Sequence, residues 1–466
     1  MEEPNYKDVF KKDKILVEKF KLNDNYKLKY SGKKYFLKTY GCQMNEHDSE
    51  NIKALLEDMG FESVDDYEKA DLVLLNTCSV RENAHNKAFG MLGRFKHLKE
   101  EKKDLIVGLC GCMAQEEGVI KEIREKYKFV NFVFGTHNVY ELPEIIDKAV
   151  MEGKQEIDVK SFGDRIIEDI PVRRENSFKA YVNIIYGCDK FCTYCIVPYT
   201  RGKEHSRRRE DILKEIKALK EDGYKEVTLL GQNVNAYGHD LYNDYTFGNL
   251  LEDVAKEGIP RIRFTTSHPW NFTDKMIDVI AKYENIMPAI HLPLQSGSDK
   301  ILKSMGRRYT KESYLKLFDE MKEKIPNCHI STDIIVGFPG ETEEDFNETL
   351  DVVKHCKYDN AYTFIYSPRE NTPAAKFKDQ VDESVKEQRL QRLNKLVNKY
   401  FLENNKKLEG KVLEVLVEGK NEKHGYFGYS KEMKLVNFTG KEIEIGSLVN
   451  VEITKAKTWS LDGNAK

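Results

Sequence analysis

The sequence predicts an α/β protein with an N-terminal parallel α/β sheet domain, a central partial (β/α)6 barrel and a C-terminal small antiparallel β-barrel. Three observations lead to this prediction. Apolar strand-like runs alternate with helical periodicity over 33–150, the same alternation recurs over 177–404, and apolar and polar residues alternate strictly after about Gly410. Strands that alternate with helices form parallel sheets, whereas strict alternation of polarity is typical of antiparallel sheets with one buried face.

Length and composition bound the class of protein. A chain of 466 residues exceeds one ordinary domain, so two or three domains are expected. Hydrophobic residues make up 40% and charged residues 33%, which indicates a soluble globular protein. Nine cysteines without a secretory signal favour a reducing, cytoplasmic location where thiols serve metals or catalysis. The net charge of −3 excludes a general polycation, so nucleic acid would be bound through local patches.

Shifts in composition divide the chain into five segments. The first is a polar extension with a short predicted helix at 14–20, and a polar segment without periodicity is interpreted as a linker. The predicted boundaries are 1–32 for the extension, 33–150 for the N-terminal domain, 151–176 for the linker, 177–404 for the central domain and 407–466 for the C-terminal domain.

Strands of the N-terminal domain each precede a cysteine. The predicted strands are 35–40, 71–76 and 105–109, and the predicted helices are 48–59, 82–98 and 115–127. Cys42, Cys78 and Cys112 follow the three strands in turn. Sites in parallel sheets form beyond the carboxyl ends of the strands, so these cysteines can converge. Each one alone is typical of a small buried residue, but three equivalent strand ends favour a shared metal centre, with Cys110 an open alternative to Cys112.

The central domain repeats a strand–helix unit six times. Its predicted strands are 181–186, 226–230, 262–266, 289–292, 330–336 and 362–366. Its predicted helices are 209–221, 250–256, 274–283, 311–324, 343–355 and 384–404. Chemistry in such barrels lies at the carboxyl ends of the strands. Polar or glycine-bearing motifs occur at these ends, at 231–235, 267–269, 293–298 and 337–342.

The first strand end of this domain carries a second set of cysteines. Cys188, Cys192 and Cys195 are spaced by three and then two intervening residues on a loop that begins at Gly187. An iron cluster usually takes four protein thiolates, so three leave one iron open, as in catalytic metal sites. A zinc loop that takes a fourth ligand such as His205 is the alternative.

The C-terminal segment is predicted to form short strands. Alternation of apolar and polar residues predicts strands at 411–417, 434–438, 442–445 and 449–453. Small β-barrels often bind oligonucleotides or oligosaccharides, although fold analogy alone does not assign a ligand.

Together these motifs resemble a known family. The run 187–202 resembles the radical S-adenosylmethionine (SAM) enzymes, the N-terminal three-cysteine domain resembles their methylthiotransferase branch, and the C-terminal barrel resembles a TRAM domain. Within that branch, TYGCQMNEHDSE at 39–50 and TWSLDG at 458–463 resemble the tRNA-2-methylthio-N6-dimethylallyladenosine synthases (MiaB). The resemblance covers about 33–466.

The resemblance implies two 4Fe–4S clusters. The radical-generating cluster would be held by Cys188, Cys192 and Cys195, and an auxiliary cluster carrying the sulfur would be held by Cys42, Cys78 and Cys112. The family pattern places the third ligand before Met-Ala-Gln, which selects Cys112 over Cys110. The implied reaction inserts a methylthio group at C2 of N6-dimethylallyl(isopentenyl)adenosine next to the tRNA anticodon and uses two SAM. An electron donor protein and a sulfur source are implied partners, and we expect a monomer.

SAM contacts are expected from position at the strand ends. These residues are Gln232, Asn233, Ser267, Gln295 and Ser296. No protein acid or base is expected, because C2–H of adenine is neither acidic nor attached to a leaving group and the cofactor supplies the radical chemistry.

The basic residues and the C-terminal barrel suggest contacts for RNA. Arg201 and the triplet 207–209 are candidates for RNA phosphate or the SAM carboxylate, and a solvated helix start is an equally good interpretation of the triplet. Family TRAM domains usually carry a basic residue where this chain has Tyr429, which can stack on a base instead.

Two other functions compete with this one. A sister methylthiotransferase would act on threonylcarbamoyl-adenosine or on an aspartate of a ribosomal protein, and the Gln43-Met44-Asn45 signature argues against it. A non-catalytic zinc or RNA-binding protein is the alternative from another class.

Overall fold

The structure is a computed structural model that describes residues 16–80, 82–161, 165–422 and 425–466. Contacts between Cα atoms divide the chain into two compact units. The first unit comprises the residues up to 175 together with 186–190 and 195–203. The second unit comprises 176–185, 191–194 and 204–466. The cysteine loop at 187–195 is therefore shared, with part of it in each unit.

The first unit is built on a six-stranded parallel sheet flanked by helices. Its strands are β1 (Leu16–Lys19), β2 (Lys34–Tyr40), β3 (Glu62–Ser63), β4 (Leu72–Thr77), β5 (Ile106–Gly111), β6 (Phe132–Phe134), β7 (Glu156–Asp158) and β8 (Arg165–Glu168). Its helices are α1 (Gln43–Asp58), α2 (Glu82–Glu101), α3 (Glu117–Lys126), α4 (Leu142–Glu152) and the short α5 (Val197–Arg201). The sheet order is β3-β2-β4-β5-β6-β7, with every pair parallel.

Burial on both faces explains the apolar runs of this sheet. Every residue of β4 is buried, and its apolar side chains alternate between two apolar clusters, one on each face of the sheet. Helices cover both faces because a parallel sheet needs crossover connections. Because the strands are parallel, the carboxyl ends of β2, β4 and β5 lie at one edge of the sheet. Cys42, Cys78 and Cys112 directly follow these three ends.

Two predictions for this unit need correction. The short helix expected at 14–20 is wrong for the described part, because residues Leu16–Lys19 form β1, which pairs in parallel with β8. The segment 151–176 also contains regular structure, since β7 extends the main sheet and β8 pairs with β1. Both strands take their partners from distant sequence, so local periodicity could not reveal them. The domain boundaries themselves stay predictions.

The second unit begins with the predicted run of strands and helices. Its strands are β9 (Lys179–Asn183), β10 (Ile185–Tyr186), β11 (His205–Ser206), β12 (Glu226–Leu230), β13 (Arg261–Thr265), β14 (Ala289–His291), β15 (His329–Val336) and β16 (Asn360–Ile365). Its helices are α6 (Arg209–Glu221), α7 (Phe247–Glu257), α8 (Asp274–Lys282), α9 (Asp299–Ser304), α10 (Lys311–Lys324), α11 (Glu343–Cys356) and α12 (Glu383–Lys406). Five of the six large predicted helices begin within one residue of their expected position, and α7 begins three residues earlier.

The six strands that alternate with the large helices form two three-stranded parallel sheets. One sheet has the order β13-β12-β9 and the other β14-β15-β16, and all these pairs are parallel. One face packs against the helices in the largest apolar cluster. This agrees with the predicted partial (β/α)6 barrel. Within the described ranges, no helix combines the length and the apolar character needed to cross a membrane.

The C-terminal segment closes into a five-stranded barrel. Its strands are β17 (Val412–Asn421), β18 (Gly425–Ser430), β19 (Leu435–Thr439), β20 (Leu448–Ala456) and β21 (Leu461–Ala465), in the order β17-β18-β19-β21-β20. The small barrel is confirmed, but β19 and β21 pair in parallel, so it is not wholly antiparallel. The strand predicted at 442–445 is wrong, because those residues lie in an irregular connection between β19 and β20.

Candidate metal centres and cofactor site

The three strand-end cysteines of the first unit meet at one edge of the sheet. Cys42 is the N-cap of α1 directly after β2, Cys78 follows β4, and Cys112 opens a 3-10 turn after β5. The interaction between the neighbouring thiols of Cys42 and Cys78 lowers the pKa of Cys42 and, together with burial, raises the pKa of Cys78. Cys112 is close enough to interact electrostatically with both: it raises the pKa of Cys78, and Cys42 raises the pKa of Cys112. The arrangement thus places the three predicted cysteines near one another, and their role as ligands stays a prediction.

A buried amide network supports the loops that carry these cysteines. Asn76, at 0% exposure, donates through Nδ2 to the carbonyl oxygen of Asn45 at 2.8 Å and to Oγ of Ser49 at 2.9 Å. Asn45 donates back to Oδ1 of Asn76 at 3.1 Å and to the carbonyl oxygen of Thr77 at 3.3 Å. The sequence identified Asn45 and Ser49 only as parts of a family motif and did not predict that they pair with Asn76. A local signal for Asn76 is its polarity, because it ends the apolar run of β4.

Glycine is required beside this network. Gly111 has φ +94°, and a Cβ there would lie 2.3 Å from Oδ1 of Asn76 and 2.5 Å from the carbonyl oxygen of Thr77. A Cβ on Gly41 would lie 2.6 Å from Cβ of Asn45. Glycine therefore lets the backbones next to Cys42 and Cys112 approach the amides closely.

A buried arginine contacts the third cysteine. Arg201, only 8% exposed, donates through Nε to Sγ of Cys112 at 3.2 Å and through Nη2 to Oδ2 of Asp48 at 2.6 Å. Burial disfavours its charged form, but Asp48 and the thiols of Cys112 and Cys42 raise the pKa of Arg201 well above its ordinary value. The guanidinium is therefore charged. The expectation that Arg201 meets RNA phosphate or the SAM carboxylate stays a prediction, and its Nε and Nη2 donors are directed to partners inside the first unit.

Cys110 has different surroundings. It is 1% exposed and lies in the apolar cluster that contains Tyr35, Leu74 and Phe132. Burial raises the pKa of its thiol well above the ordinary value. These surroundings are typical of a core residue, and they favour Cys112 as the third ligand.

Backbone contacts fix the loop that carries the second set of cysteines near Cys188 and near Thr193. In the first unit, the Cys188 amide donates to the carbonyl oxygen of Gly202 at 3.0 Å, and a Cβ on Gly187, where φ is +67°, would lie 1.9 Å from the carbonyl oxygen of Lys203. In the second unit, Thr193 donates its amide to the carbonyl oxygen of Met305 at 2.9 Å. These contacts fix the backbone on either side of the thiols.

Arg307 and Phe338 complete the surroundings of this loop in the second unit. Arg307 is 9% exposed and lies with Nη1 3.5 Å from Sγ of Cys192, while its guanidinium stacks on Tyr309. Phe338, from the predicted motif at 337–342, is fully buried and packs edge-to-face on Tyr194. The motif therefore supports the loop through packing.

Buried polar atoms without a protein partner mark the strand ends of the second unit. Among the described residues, Oδ1 of Asn233, Oγ of Ser267 and Oε1 of Gln295 are buried and have no hydrogen-bond partner. Such atoms cost about 1–3 kcal/mol each unless a ligand satisfies them. They follow β12, β13 and β14, which is where a polar cofactor such as SAM would be bound in a barrel of this kind.

The other two expected SAM contacts differ from these three. Gln232 is half-buried beside Asn233. Ser296 is fully buried, its Oγ accepts from the Ser298 amide at 3.2 Å, and it lies 3.5 Å from Oγ1 of Thr349. The geometry therefore favours a structural role for Ser296.

Of the remaining basic and aromatic candidates, Arg207 and Arg209 have partners within the second unit. Arg207 donates to the carbonyl oxygen of Asn183 at 2.7 Å and to Glu215 at 2.9 Å, and Arg209 pairs with Asp253 at 2.9 Å. Arg208 is exposed. Tyr429 is half-buried, and burial is the main cause that raises its pKa. Of the triplet, Arg208 thus remains the candidate for RNA phosphate.

Both proposed donor sets consist of thiols, which are the usual ligands of iron–sulfur clusters. Over the described ranges, no three His, Cys, Asp or Glu side chains are arranged to hold one metal ion. A cluster binds each thiolate through a different iron, so its ligands need not converge on one point. His205, the suggested fourth zinc ligand, lies instead with Nδ1 3.8 Å from Asp240. Thiols at one edge, with N–H donors aimed at their sulfur atoms, fit the iron–sulfur groups that the sequence implies.

Three family models match the chain. They are the radical SAM superfamily at residues 182–353, the uncharacterized protein family UPF0004 at 34–135 and the TRAM domain at 406–466. The matches fall on the central barrel, the N-terminal sheet and the C-terminal barrel respectively.

Curated relatives match over nearly the whole chain. The tRNA-2-methylthio-N(6)-dimethylallyladenosine synthase of Bacillus subtilis (strain 168) is 52% identical over 466 residues, covering 99% of this chain and 92% of the relative. The protein of the same name from Staphylococcus haemolyticus (strain JCSC1435) is 52% identical over 450 residues, covering 96% and 88%.

Solved structures support the fold. The radical S-adenosylmethionine methyltransferase TsrM from Kitasatospora setae, with cobalamin and a [4Fe-4S] cluster bound, has a TM-score of 0.53 at 15% identity, covering 74% of this chain and 77% of that one. The cobalamin-dependent S-adenosylmethionine radical enzyme OxsB has a TM-score of 0.50 at 14% identity, covering 79% and 56%. At these identities the similarity shows the fold alone.

Proposed function

The chain belongs to the family of tRNA-2-methylthio-N(6)-dimethylallyladenosine synthases, and on this premise we propose that it inserts a methylthio group at C2 of N6-dimethylallyl(isopentenyl)adenosine next to the tRNA anticodon. It is an enzyme of the radical SAM class, which implies SAM and a 4Fe–4S cluster. The observation that carries the proposal is the 52% identity over 99% of the chain. The edge formed by Cys42, Cys78 and Cys112 supports it independently.

The substrate explains why this chemistry is needed. C2–H of adenine is not acidic and carries no leaving group, so general acid–base catalysis offers no route. Bound SAM and its cluster supply a hydrogen-abstracting radical when one electron is provided, while the protein contributes binding, orientation and exclusion of water. A site with three thiolates suits this task because it leaves one iron for an exogenous ligand.

The proposed ligand sets follow the two groups of cysteines. Cys188, Cys192 and Cys195 hold the cluster that binds SAM, and Cys42, Cys78 and Cys112 hold an auxiliary cluster that carries the sulfur. SAM is proposed to be oriented by hydrogen bonds to the three atoms without a protein partner, Oδ1 of Asn233, Oγ of Ser267 and Oε1 of Gln295. Gln232 is proposed as a weaker contact and Ser296 as a support for the loop.

The reaction also sets the partners. Two SAM are consumed for each product, one for the radical and one for the methyl group. An electron donor protein and a sulfur source are required because neither electrons nor sulfur come from SAM in this reaction. We further propose that the enzyme acts as a monomer in the cytoplasm, where its tRNA substrate is found.

The test uses tRNA nucleosides from a strain that lacks this protein. Mass spectrometry is expected to show loss of 2-methylthio-isopentenyladenosine and accumulation of the unmodified prenylated nucleoside, with recovery when the gene is restored. An unchanged level would refute the proposed substrate. Loss of the methylthio group from threonylcarbamoyl-adenosine, or from a ribosomal protein, would assign one of the sister activities instead.

Metal analysis separates the enzyme from a zinc or RNA-binding protein. After anaerobic reconstitution, we expect about eight irons per chain, on the basis of two four-iron clusters. Tight zinc without the charge-transfer absorption of iron–sulfur clusters would contradict the proposal.

A further inference from the structure

The segment that follows the second set of cysteines also contacts the first set. Arg201 donates to Sγ of Cys112 at 3.2 Å, and its neighbour Gly202 accepts the amide of Cys188 at 3.0 Å. Thr200 is fixed as well, since its carbonyl oxygen accepts from Oγ1 of Thr136 at 2.7 Å. All these residues belong to the first unit. The adjacent residues Arg201 and Gly202 therefore contact Cys112 and Cys188, which are proposed ligands of different clusters.

The contact with Cys112 is held in a fixed geometry. The side chain of Arg201 is 7% exposed and that of Asp48 is 16% exposed, so the ion pair between them is shielded from water and salt. The bond from Nη2 to Asp48 fixes the plane of the guanidinium, which leaves Nε–H directed at the sulfur. Arginine suits this geometry because its donors lie in one rigid plane and its charge is permanent.

The chemistry of iron–sulfur clusters gives this contact a consequence. The reduction potential of a cluster depends on its net charge, on hydrogen bonds to its sulfur atoms and on its exposure to solvent. A buried positive charge and an N–H···S bond both stabilise the reduced state, which carries the greater negative charge. Groups outside the ligand set commonly tune metal sites in this way.

We propose that Arg201 is a positioning residue of the auxiliary cluster, which orients Cys112 and raises the cluster's reduction potential through its Nε–H···S bond and its buried charge. The inference rests on the auxiliary cluster of the proposed function. It adds a residue that is not a cluster ligand and that the sequence alone associated with RNA or SAM.

The test isolates the auxiliary cluster in the full-length chain. Replacing all three cysteines of the other set with alanine leaves one cluster, whose midpoint potential is measured by redox titration followed by electron paramagnetic resonance. In this background, Arg201→Gln is expected to shift the midpoint potential to more negative values. Arg201→Lys keeps the charge but loses the planar donor, so its shift should be smaller. An unchanged potential with full iron content would overturn the inference.

Arg307 provides a matched control. It is a buried arginine of the second unit, with Nη1 3.5 Å from Sγ of Cys192 in the native chain. Because Cys192 is alanine in this background, Arg307 contacts no ligand of the remaining cluster. Arg307→Gln should leave the potential of the isolated auxiliary cluster unchanged. Equal shifts in Arg307→Gln and Arg201→Gln would show a general effect of lost charge and would contradict a specific contact at Cys112.

Iron content distinguishes the remaining outcomes. If the background chain binds no iron, the auxiliary cluster of the proposed function is wrong and the inference fails with it. In another outcome, the chain without the second set of cysteines holds about four irons, but both Arg201 variants lose them with unchanged circular dichroism. Arg201 would then be needed to retain the cluster, and the claim about the reduction potential is overturned.

Discussion

Replacing Asn76 with alanine should weaken the first unit at the edge that carries the auxiliary site. The side chain is fully buried and takes part in three hydrogen bonds, of 2.8, 2.9 and 3.1 Å, with Asn45 and Ser49. Each bond contributes about 1 kcal/mol net. Asn45 and Ser49 keep other partners, in Thr77 and Thr39. We therefore expect a loss of about 3 kcal/mol in the free energy of unfolding of this unit.

Hydrogen–deuterium exchange measures that loss locally. Both tryptophans, Trp270 and Trp459, lie in the second unit, so their fluorescence does not report on the first. In metal-free protein, peptides that cover β4 and β5 should exchange roughly a hundredfold faster in Asn76→Ala, because about 1.4 kcal/mol corresponds to a factor of ten. Tryptophan fluorescence during unfolding should stay the same.

A surface asparagine supplies the control, and iron supplies a second measurement. Asn86 lies exposed on α2 in the same unit, and Asn86→Ala should change stability by no more than about 0.5 kcal/mol. After reconstitution, Asn76→Ala should hold about four irons instead of about eight, because the loops of Cys42 and Cys78 lose their support. Unchanged exchange in β4 and β5 together with full iron content would refute the reasoning.

The remaining predictions concern cysteines and pH. Cys192→Ala should abolish SAM cleavage, whereas Cys78→Ala should spare cleavage and stop sulfur insertion, as followed by product analysis of both reactions; equal loss of both would contradict the division of labour. Cys110→Ala should keep full iron content. Its free energy of unfolding, measured in urea, should fall by no more than about 2 kcal/mol, since the change removes only a small group from the core. Burial, reinforced by Arg201, lowers the pKa of His137 to about 4. Because the unfolded chain then binds more protons between pH 6.5 and about 4, stability should fall as pH is lowered through this window, and His137→Gln should flatten that fall.

Much of this protein was predictable from its sequence because the relevant signals are local. Alternation of strands and helices identified the parallel sheet and the partial barrel, and periodicity placed α6, α10 and α11 closely. The relative direction of the strands follows from connectivity, since two neighbouring strands joined by a crossover helix run parallel to each other. Three cysteines that each follow a strand of one parallel sheet therefore indicate a common edge from their spacing alone.

The tertiary structure decided what depends on contacts between distant residues. β1 and β8 are irregular in sequence and form because they pair with each other, and the parallel pairing of β19 with β21 follows from closure of the barrel. Arg201 has the sequence context of a surface cation next to the cysteine loop, yet its charge is buried against Asp48 and Cys112, which lie 153 and 89 residues away. Residue types and their spacing determined which chemistry this chain can perform. Only the packing of the chain decided which charges and amides surround the cysteines, because burial and hydrogen bonding at these positions come from segments far apart in sequence.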